Sequence, residues 1–288
     1  MPPFAAVADR RDAGDDVESR AMEAFGVRIV VAYDGARFTG WQRQPGFRTV
    51  QGELEAAVAV LAGVEVKVRG ASRTDTGVHA LGQLAAFDSP RDIPPYKWVR
   101  GINGKLPDDV AVRSAEPCEP GYDPRFDARA KTYRYLLHLG PVRDPLLSGR
   151  AWHLGPRRAR AVGHAPIDPA EWLDREAMRA AAKELVGTHD FRAFKTSRDP
   201  REQTVRTITR VELVEGFGGR EDLVAIEIEG NAFMHNMVRI IAGTLVDVGR
   251  SRRSPASLRE VIANGDRAGA GETAPPGGLY LVAIERRT

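Results

Sequence analysis

The stretch Ser72-Arg73-Thr74-Asp75-Thr76-Gly77-Val78-His79-Ala80 sets a carboxylate two residues after an arginine and two before a glycine. Asp75-Thr76-Gly77 is the tripeptide of aspartic proteases, whose mechanism needs two carboxylates sharing one proton. The tripeptide occurs once, and 288 residues is long for a symmetric dimer of short chains that would restore the pair. The fixed cation of Arg73 also favours ionisation and so opposes a shared proton. A different chemistry suits these residues better. An ionised carboxylate held still can attack a sugar or base carbon, and a neighbouring guanidinium favours the charged form while limiting its orientations. Gly77 permits the tight backbone such a loop requires. Asp and Gly also build ordinary surface turns, so this stretch by itself leaves the turn and the nucleophile both open.

Other chemistries find less support. Asp75 and His79 are four apart, but the intervening Gly77 argues against a helical metal pair. The six histidines (His79, His138, His153, His164, His189 and His235) show no zinc spacing, and one cysteine makes no cluster. Each histidine is read as a surface or structural residue, and no catalytic metal is expected. Gly216-Phe217-Gly218-Gly219 lacks the dinucleotide spacing and no phosphate-loop motif is present, so no cofactor is expected. Cys118 stands alone, which rules out an internal disulfide and fits a reducing cytoplasm.

The net charge of +3 is unevenly spread: residues 1–25 hold six acids against three arginines, leaving +6 on the rest. A basic body with an acidic tail is compatible with an RNA partner, although ordinary surface charge explains it as well. Phe4 to Ala8 is too short for a signal-peptide core, and Asp9-Arg10-Arg11-Asp12 follows at once. No apolar run approaches the roughly 20 residues of a membrane span. The reading is a cytoplasmic protein with a disordered acidic leader over residues 1–25.

The elements that must position Asp75 follow from periodicity. Val27–Tyr33 reads as a buried strand ended by Asp34-Gly35. Thr49 caps a helix whose apolar positions Val50, Leu54, Val58 and Leu61 lead to a stop at Gly63. Val64–Ser72 and Gln83–Phe87 read as strands, which puts Asp75 on the loop between them, a common location for chemistry. A helix over 95–102 and strands over 110–114 and 131–139 follow. Residues 155–170 lack periodicity and read as a loop or insertion. Asp174 opens a helix through Val186, closed by Gly187. Val205–Val214 and Leu223–Glu229 read as a hairpin turned by Gly216, Gly218 and Gly219. A helix is expected from Asn231, with Met234, Val238, Ile241, Leu245 and Val248 as its core face. Ser254-Pro255 is expected to start a last helix ending at Gly265, and Leu279–Ile284 reads as a final buried strand. The sum is an α+β protein of two halves, 26–128 and 129–288, around a joint sheet whose strand order the sequence does not reveal.

The longer string around Asp75, Arg73 to Ala80, closely resembles the RTDxGVHA motif of TruA-type tRNA pseudouridine synthases. Further matches occur in order. Tyr33-Asp34-Gly35 with Gly40-Trp41-Gln42-Arg43-Gln44 resembles that family's YDG…GWQRQ opening. Thr49 to Glu55 is similar to its first helix, and Asn103, Leu106-Pro107 and Asp109 to Val112 follow its NxxLPxDIxV pattern. Phe126 to Arg129 with Tyr133-Arg134-Tyr135, Asn231 to Arg239, and Gly278 to Leu281 resemble its FxAxxKxYxY strand, NAFLxxMVR segment and last strand. Ser72 departs from the family, which usually has glycine there, and the acidic leader and the 155–170 segment look like additions.

The resemblance implies a pseudouridine synthase fold with a mostly antiparallel joint sheet and flanking helices. It implies isomerisation of uridine to pseudouridine at positions 38, 39 and 40 of the tRNA anticodon stem-loop, without cofactor, by a homodimer. It marks Asp75 as the catalytic aspartate, attacking ribose C1′ or uracil C6 or assisting a glycal route. Arg239 is expected to pair with Asp75, and Arg73 to grip RNA or hold the extruded base. Tyr133 would lie against that base, and Leu279 would belong to the apolar wall. Arg43, Arg48, Lys131 and Arg206 are candidate phosphate contacts. The rival from another class is a non-catalytic structured-RNA-binding protein on the same fold.

Overall fold

The computed structural model describes residues 24–155, 173–196 and 199–287. Of the expected leader only Ala24 and Phe25 fall among these, and of the 155–170 segment only Gly155. Phe25 already opens strand β1 (Phe25–Tyr33), whose residues alternate between deep burial and partial exposure. Helix α1 (Val50–Ala62) is capped by Thr49, whose hydroxyl accepts from the Gly52 N–H, and it ends at Gly63 in the left-handed conformation. Then come β2 (Arg69–Gly70), β3 (His79–Ser89), α2 (Pro95–Asn103), β4 (Val110–Cys118), α3 (Pro124–Asp127), β5 (Ala128–His138) and β6 (Trp152–His153). The remainder comprises α4 (Arg175–Lys183), β7 (Gly187–Asp190), β8 (Val205–Glu215), β9 (Leu223–Gly230), α5 (Met237–Gly249), α6 (Ser257–Asn264) and β10 (Leu279–Arg286).

The described strands form one sheet in the order β4-β1-β3-β10-β5-β9-β8-β7, with β2 paired to β3 and β6 to β5. Pairing is antiparallel except for β10 with β3 and β5 with β6. The last strand therefore sits in the middle, parallel to β3 on one side and antiparallel to β5 on the other. One core runs through the sheet and its helices, from Val31, Phe87 and Trp98 in the first half to Tyr135, Ile226 and Ile241 in the second. Helix α5 is buried along nearly its whole length, which fits its apolar sequence.

Several boundaries differ from the sequence reading. Of Val64–Ser72 only Arg69 and Gly70 pair in the sheet. Just before them, Val68 donates its N–H to the Glu55 carboxylate and accepts at its carbonyl from the Gln51 amide. Side chains of α1 thus satisfy the backbone groups a neighbouring strand would have taken. Helix α5 starts at Met237 rather than Asn231 because Asn236 is left-handed, at φ 62°, which a continuing α-helix forbids. Helix α4 stops at Lys183, and Gly187 opens β7 instead of closing the helix. Ser254 does not cap α6; its carbonyl accepts from the Ser257 N–H in a turn just ahead of the helix.

Gly35, two residues after the end of β1, shows how tightly the strand ends grip the loop that carries Asp75. A Cβ on Gly35 would overlap the carbonyl oxygen of Val78. Gly35→Ala is expected to cost about 1–3 kcal/mol, as overpacking against fixed backbone does. A urea denaturation midpoint equal to the wild type's would show that the loop is free to move aside.

Candidate active site

Asp75 lies on the loop from Ala71 to Val78, and the first motif of the chain builds the cradle for it. Thr74 is held twice: its carbonyl accepts from the Trp41 N–H at 3.1 Å, and its hydroxyl is 2.8 Å from the Tyr33 hydroxyl. Gly77, left-handed at φ 79°, donates its N–H to the Phe38 carbonyl, and Val78 donates back to Asp75 across a turn. The Gln83 amide clamps the loop's other end, donating to the Ser72 carbonyl and accepting from the Ser72 N–H. His79 is buried and structural. It accepts at Nδ1 from the Gly35 N–H, and its Nε2 lies 2.8 Å from the Gly149 carbonyl and 3.1 Å from that of Gly277. The glycine and aromatic residues around Asp75 therefore restrict where its side chain can go.

The sheet order brings the other groups to it. Strands β3, β10 and β5 are neighbours; Tyr280 is level with His79, Leu279 with Tyr135, and Leu281 with Tyr133. The loop before β3, the start of β10 and the middle of β5 accordingly meet at one cavity of about 620 Å³, within the range of small-molecule sites. Asp75, Arg73, Lys131, Tyr133 and Leu279 all line it.

The segment leading into α5 closes the cavity from above. Arg239 Nη1 lies 3.9 Å from Asp75 Oδ2, and His235 Nε2 lies 3.3 Å from Asp75 Oδ1, the latter an ion pair only when the imidazole is protonated. Arg239 is itself aimed by its Nε donating to the Ala274 carbonyl at 2.7 Å and its Nη1 donating to Asn236. Burial pulls this guanidinium below arginine's ordinary range, while Asp75 and Tyr135 oppose that shift.

Tyr133 forms the floor. It is 6% exposed, and the Phe233 ring meets it edge-on with centroids 5.1 Å apart. Its hydroxyl is 3.1 Å from Ser72 Oγ. Burial pushes its phenol up to about 12, with the Asp75 charge adding to the rise and the Ser72 bond opposing it. Leu279 is equally buried and supplies apolar wall. The cations lining the cavity, Arg73, Arg125, Lys131 and Arg201, outnumber the carboxylates Asp75 and Asp199. An anionic substrate is favoured at such a surface.

The four candidate phosphate contacts separate. Arg48 binds both oxygens of Asp109 at 2.8 Å, reaches Glu53 and stacks on the Phe38 ring, so its guanidinium is committed to the scaffold. Arg43 is exposed, pairs with Glu55, and lines a different concavity together with Phe47 and Lys67. Arg206 is partly buried on β8, and its Nε has no partner among the described residues. Lys131 lies inside the cavity, where its ammonium donates to the Ala71 carbonyl and to Ser72 Oγ.

Sequence reasoning missed His235, Ser72 and Phe233. His235 stands four residues before Arg239 in the same string, which was the one available signal. Its ring is set by Thr196, whose hydroxyl lies 2.9 Å from Nδ1, and its backbone N–H by the Asp199 carboxylate. Among the described residues no group of three or more His, Cys, Asp or Glu side chains is placed to hold a metal ion. No described helix is long and apolar enough to cross a membrane.

A carboxylate beside a largely buried guanidinium, next to an aromatic floor in a cavity with an excess of cations, suits an anionic substrate that carries a flat ring. The model of the family described as tRNA pseudouridine synthase matches residues 29–127 and 181–285. The proteins called tRNA pseudouridine synthase A from Geotalea uraniireducens, Brevibacillus brevis and Myxococcus xanthus are similar along almost the whole chain. Their identities are 40%, 43% and 44%, over 90%, 88% and 88% of this chain and 98%, 97% and 89% of theirs. The chain belongs to the tRNA pseudouridine synthase family.

Proposed function

We propose that this protein isomerises uridine to pseudouridine at positions 38, 39 and 40 of the tRNA anticodon stem-loop, with Asp75 as the reacting carboxylate. The observation that carries the assignment to Asp75 is its placement against Arg239 and His235 at the mouth of the cavity floored by Tyr133. The bond between uracil N1 and ribose C1′ breaks, the base turns, C5 joins C1′, C5 gives up its proton, and N1 takes one up. Atoms and electrons balance without a redox partner. Asp75 attacks C1′ or C6, or assists a glycal route, and each path needs the same ionised oxygen.

Stem uridines are paired and stacked, so the target must be flipped out at a cost of a few kcal/mol. Tyr133 and Leu279 receive the base, and a stacked aromatic contact is worth about 1–3 kcal/mol. Arg73, exposed at the rim, grips the backbone or occupies the place the base leaves. Phosphate contacts set the register and carry no sequence information. The reading extends to a homodimer in the cytoplasm, with one tRNA touching both subunits. The cavity draws its lining from both halves, 26–128 and 129–288, which supports a site at the junction between them.

Incubation with tRNA carrying tritium at uridine C5 tests the proposal. The expected result is tritium release matched by pseudouridine at the three neighbouring positions. Tight tRNA binding with no release would mark the chain as an RNA-binding module.

A further inference from the structure

We propose that Ser72 and Lys131 complete a proton relay, from Tyr133 Oη through Ser72 Oγ to Lys131 Nζ, that carries away the proton uracil C5 loses. The inference rests on the isomerase reading and adds to it the fate of that proton. The three groups form a continuous line: Ser72 Oγ is 3.1 Å from Tyr133 Oη and 3.2 Å from Lys131 Nζ. All three line the cavity that holds Asp75. The hydroxyl linking phenol to amine is the group that a glycine at position 72 would lack.

The line has two hydrogen-bonded arrangements. With Lys131 charged, the ammonium donates to Ser72, Ser72 donates to Tyr133, and the phenol proton is left facing the cavity. With Lys131 neutral, the amine accepts from Ser72, Ser72 accepts from Tyr133, and an oxygen lone pair of Tyr133 faces the cavity instead. Only the second arrangement is a base. When the C5–H bond breaks, its electron pair restores the ring's C5–C6 double bond; the C6–N1 π pair moves onto N1, or the Asp75 oxygen leaves C6 where it had added there, and N1 ends with a proton taken from water. The proton goes to Tyr133, whose own proton passes to Ser72, whose proton passes to Lys131.

Each environment suits its part. A phenol pushed up to about 12 is a poor standing phenolate, so Tyr133 must pass a proton on as it takes one. Lys131 is pulled down to about 8 by burial, with the Arg201 charge adding to the shift. A pKa near 8 leaves about one amine in ten neutral at pH 7. The other charged or titratable groups lining the cavity are Arg73, Asp75, Arg125, Asp199 and His235, with Arg239 reaching Asp75 at 3.9 Å.

Ser72→Ala and Lys131→Arg break the line in different ways. The first removes the bridge while the Gln83 clamp on the Ser72 backbone remains; the second keeps a cation that cannot deprotonate. In single-turnover reactions at saturating protein, both variants are expected to release C5 tritium about 100-fold more slowly than the wild type, the usual scale of a lost acid–base path. Both should show an enlarged primary isotope effect with C5-deuterated uridine, which a merely structural defect would not produce. In the wild type, release limited by C5 deprotonation should rise with pH, half-maximal near 8 and level above that, and Lys131→Arg should lose that limb. Wild-type rates and isotope effects in either folded variant overturn the relay and leave the isomerase reading standing. Should thermal melting show Ser72→Ala unfolded, Lys131→Arg decides alone. No tritium release by the wild type removes both the relay and the isomerase reading.

Discussion

Asp75→Asn is expected to bind tRNA as the wild type does and to release no measurable tritium from uridine C5. Asparagine keeps the size and one carbonyl oxygen of the aspartate, so the Thr74 and Val78 anchors of the loop remain. What disappears is the negative oxygen that Arg239 and His235 flank. An amide oxygen neither attacks carbon at a useful rate nor balances a developing oxocarbenium charge, so the loss should be at least about 1,000-fold, equivalent to roughly 4 kcal/mol of barrier. Stability should change little, because the Asp75 side chain is 31% exposed and partly exposed ion pairs contribute weakly. Affinity should hold because phosphate contacts made elsewhere position the RNA. Tritium release by the variant at the wild-type rate would take Asp75 out of the mechanism. Loss of binding together with activity would instead mean that the carboxylate shapes the RNA surface.

Local periodicity showed the elements well where one residue type fixes a boundary. Thr49 and Gly63 bound α1 as expected because a hydroxyl cap and a left-handed glycine each satisfy backbone groups at a helix end. Where a distant partner decides, the sequence was silent or misleading. Val64–Ser72 alternates like a strand, yet Gln51 and Glu55 of α1 take the backbone groups of Val68. The insertion of β10 between β3 and β5 joins residues some 200 positions apart along the chain, as in Tyr280 beside His79. No short-range pattern encodes such pairing. Arg239 was legible as a neighbour of Asp75 through its motif, but His235 stands beside that carboxylate just before a left-handed turn at Asn236, which no periodicity announces. Arg48 illustrates the converse: a candidate phosphate contact by sequence, it is held by Asp109 in the fold.

Replacing Arg239 separates what the guanidinium does for the fold from what it does for the reaction. Its side chain is only 14% exposed, and burial already pulls its pKa down, so holding a charge there is costly. Removing one partner of an ion pair is costly where the other is left buried, but Asp75 is 31% exposed and stays solvated. Arg239→Met does, however, leave the Ala274 carbonyl and Asn236 without their donor. The net effect on stability should therefore stay within about 2 kcal/mol of the wild type. Catalysis has no such compensation. Asp75 would keep only His235, a cation when protonated and neutral otherwise, and the turnover rate should fall about 100-fold or more as charge-assisted orientation of the carboxylate is lost. Arg239→Lys should lie between, because an ammonium supplies the charge but not a planar fork able to reach Ala274 and Asp75 together. Measuring denaturation and single-turnover tritium release on the same preparations makes the comparison. A methionine variant that keeps full activity at neutral pH would show that Arg239 serves the scaffold alone. A variant that loses stability and activity in proportion would show that its charge has no separate part in orienting Asp75.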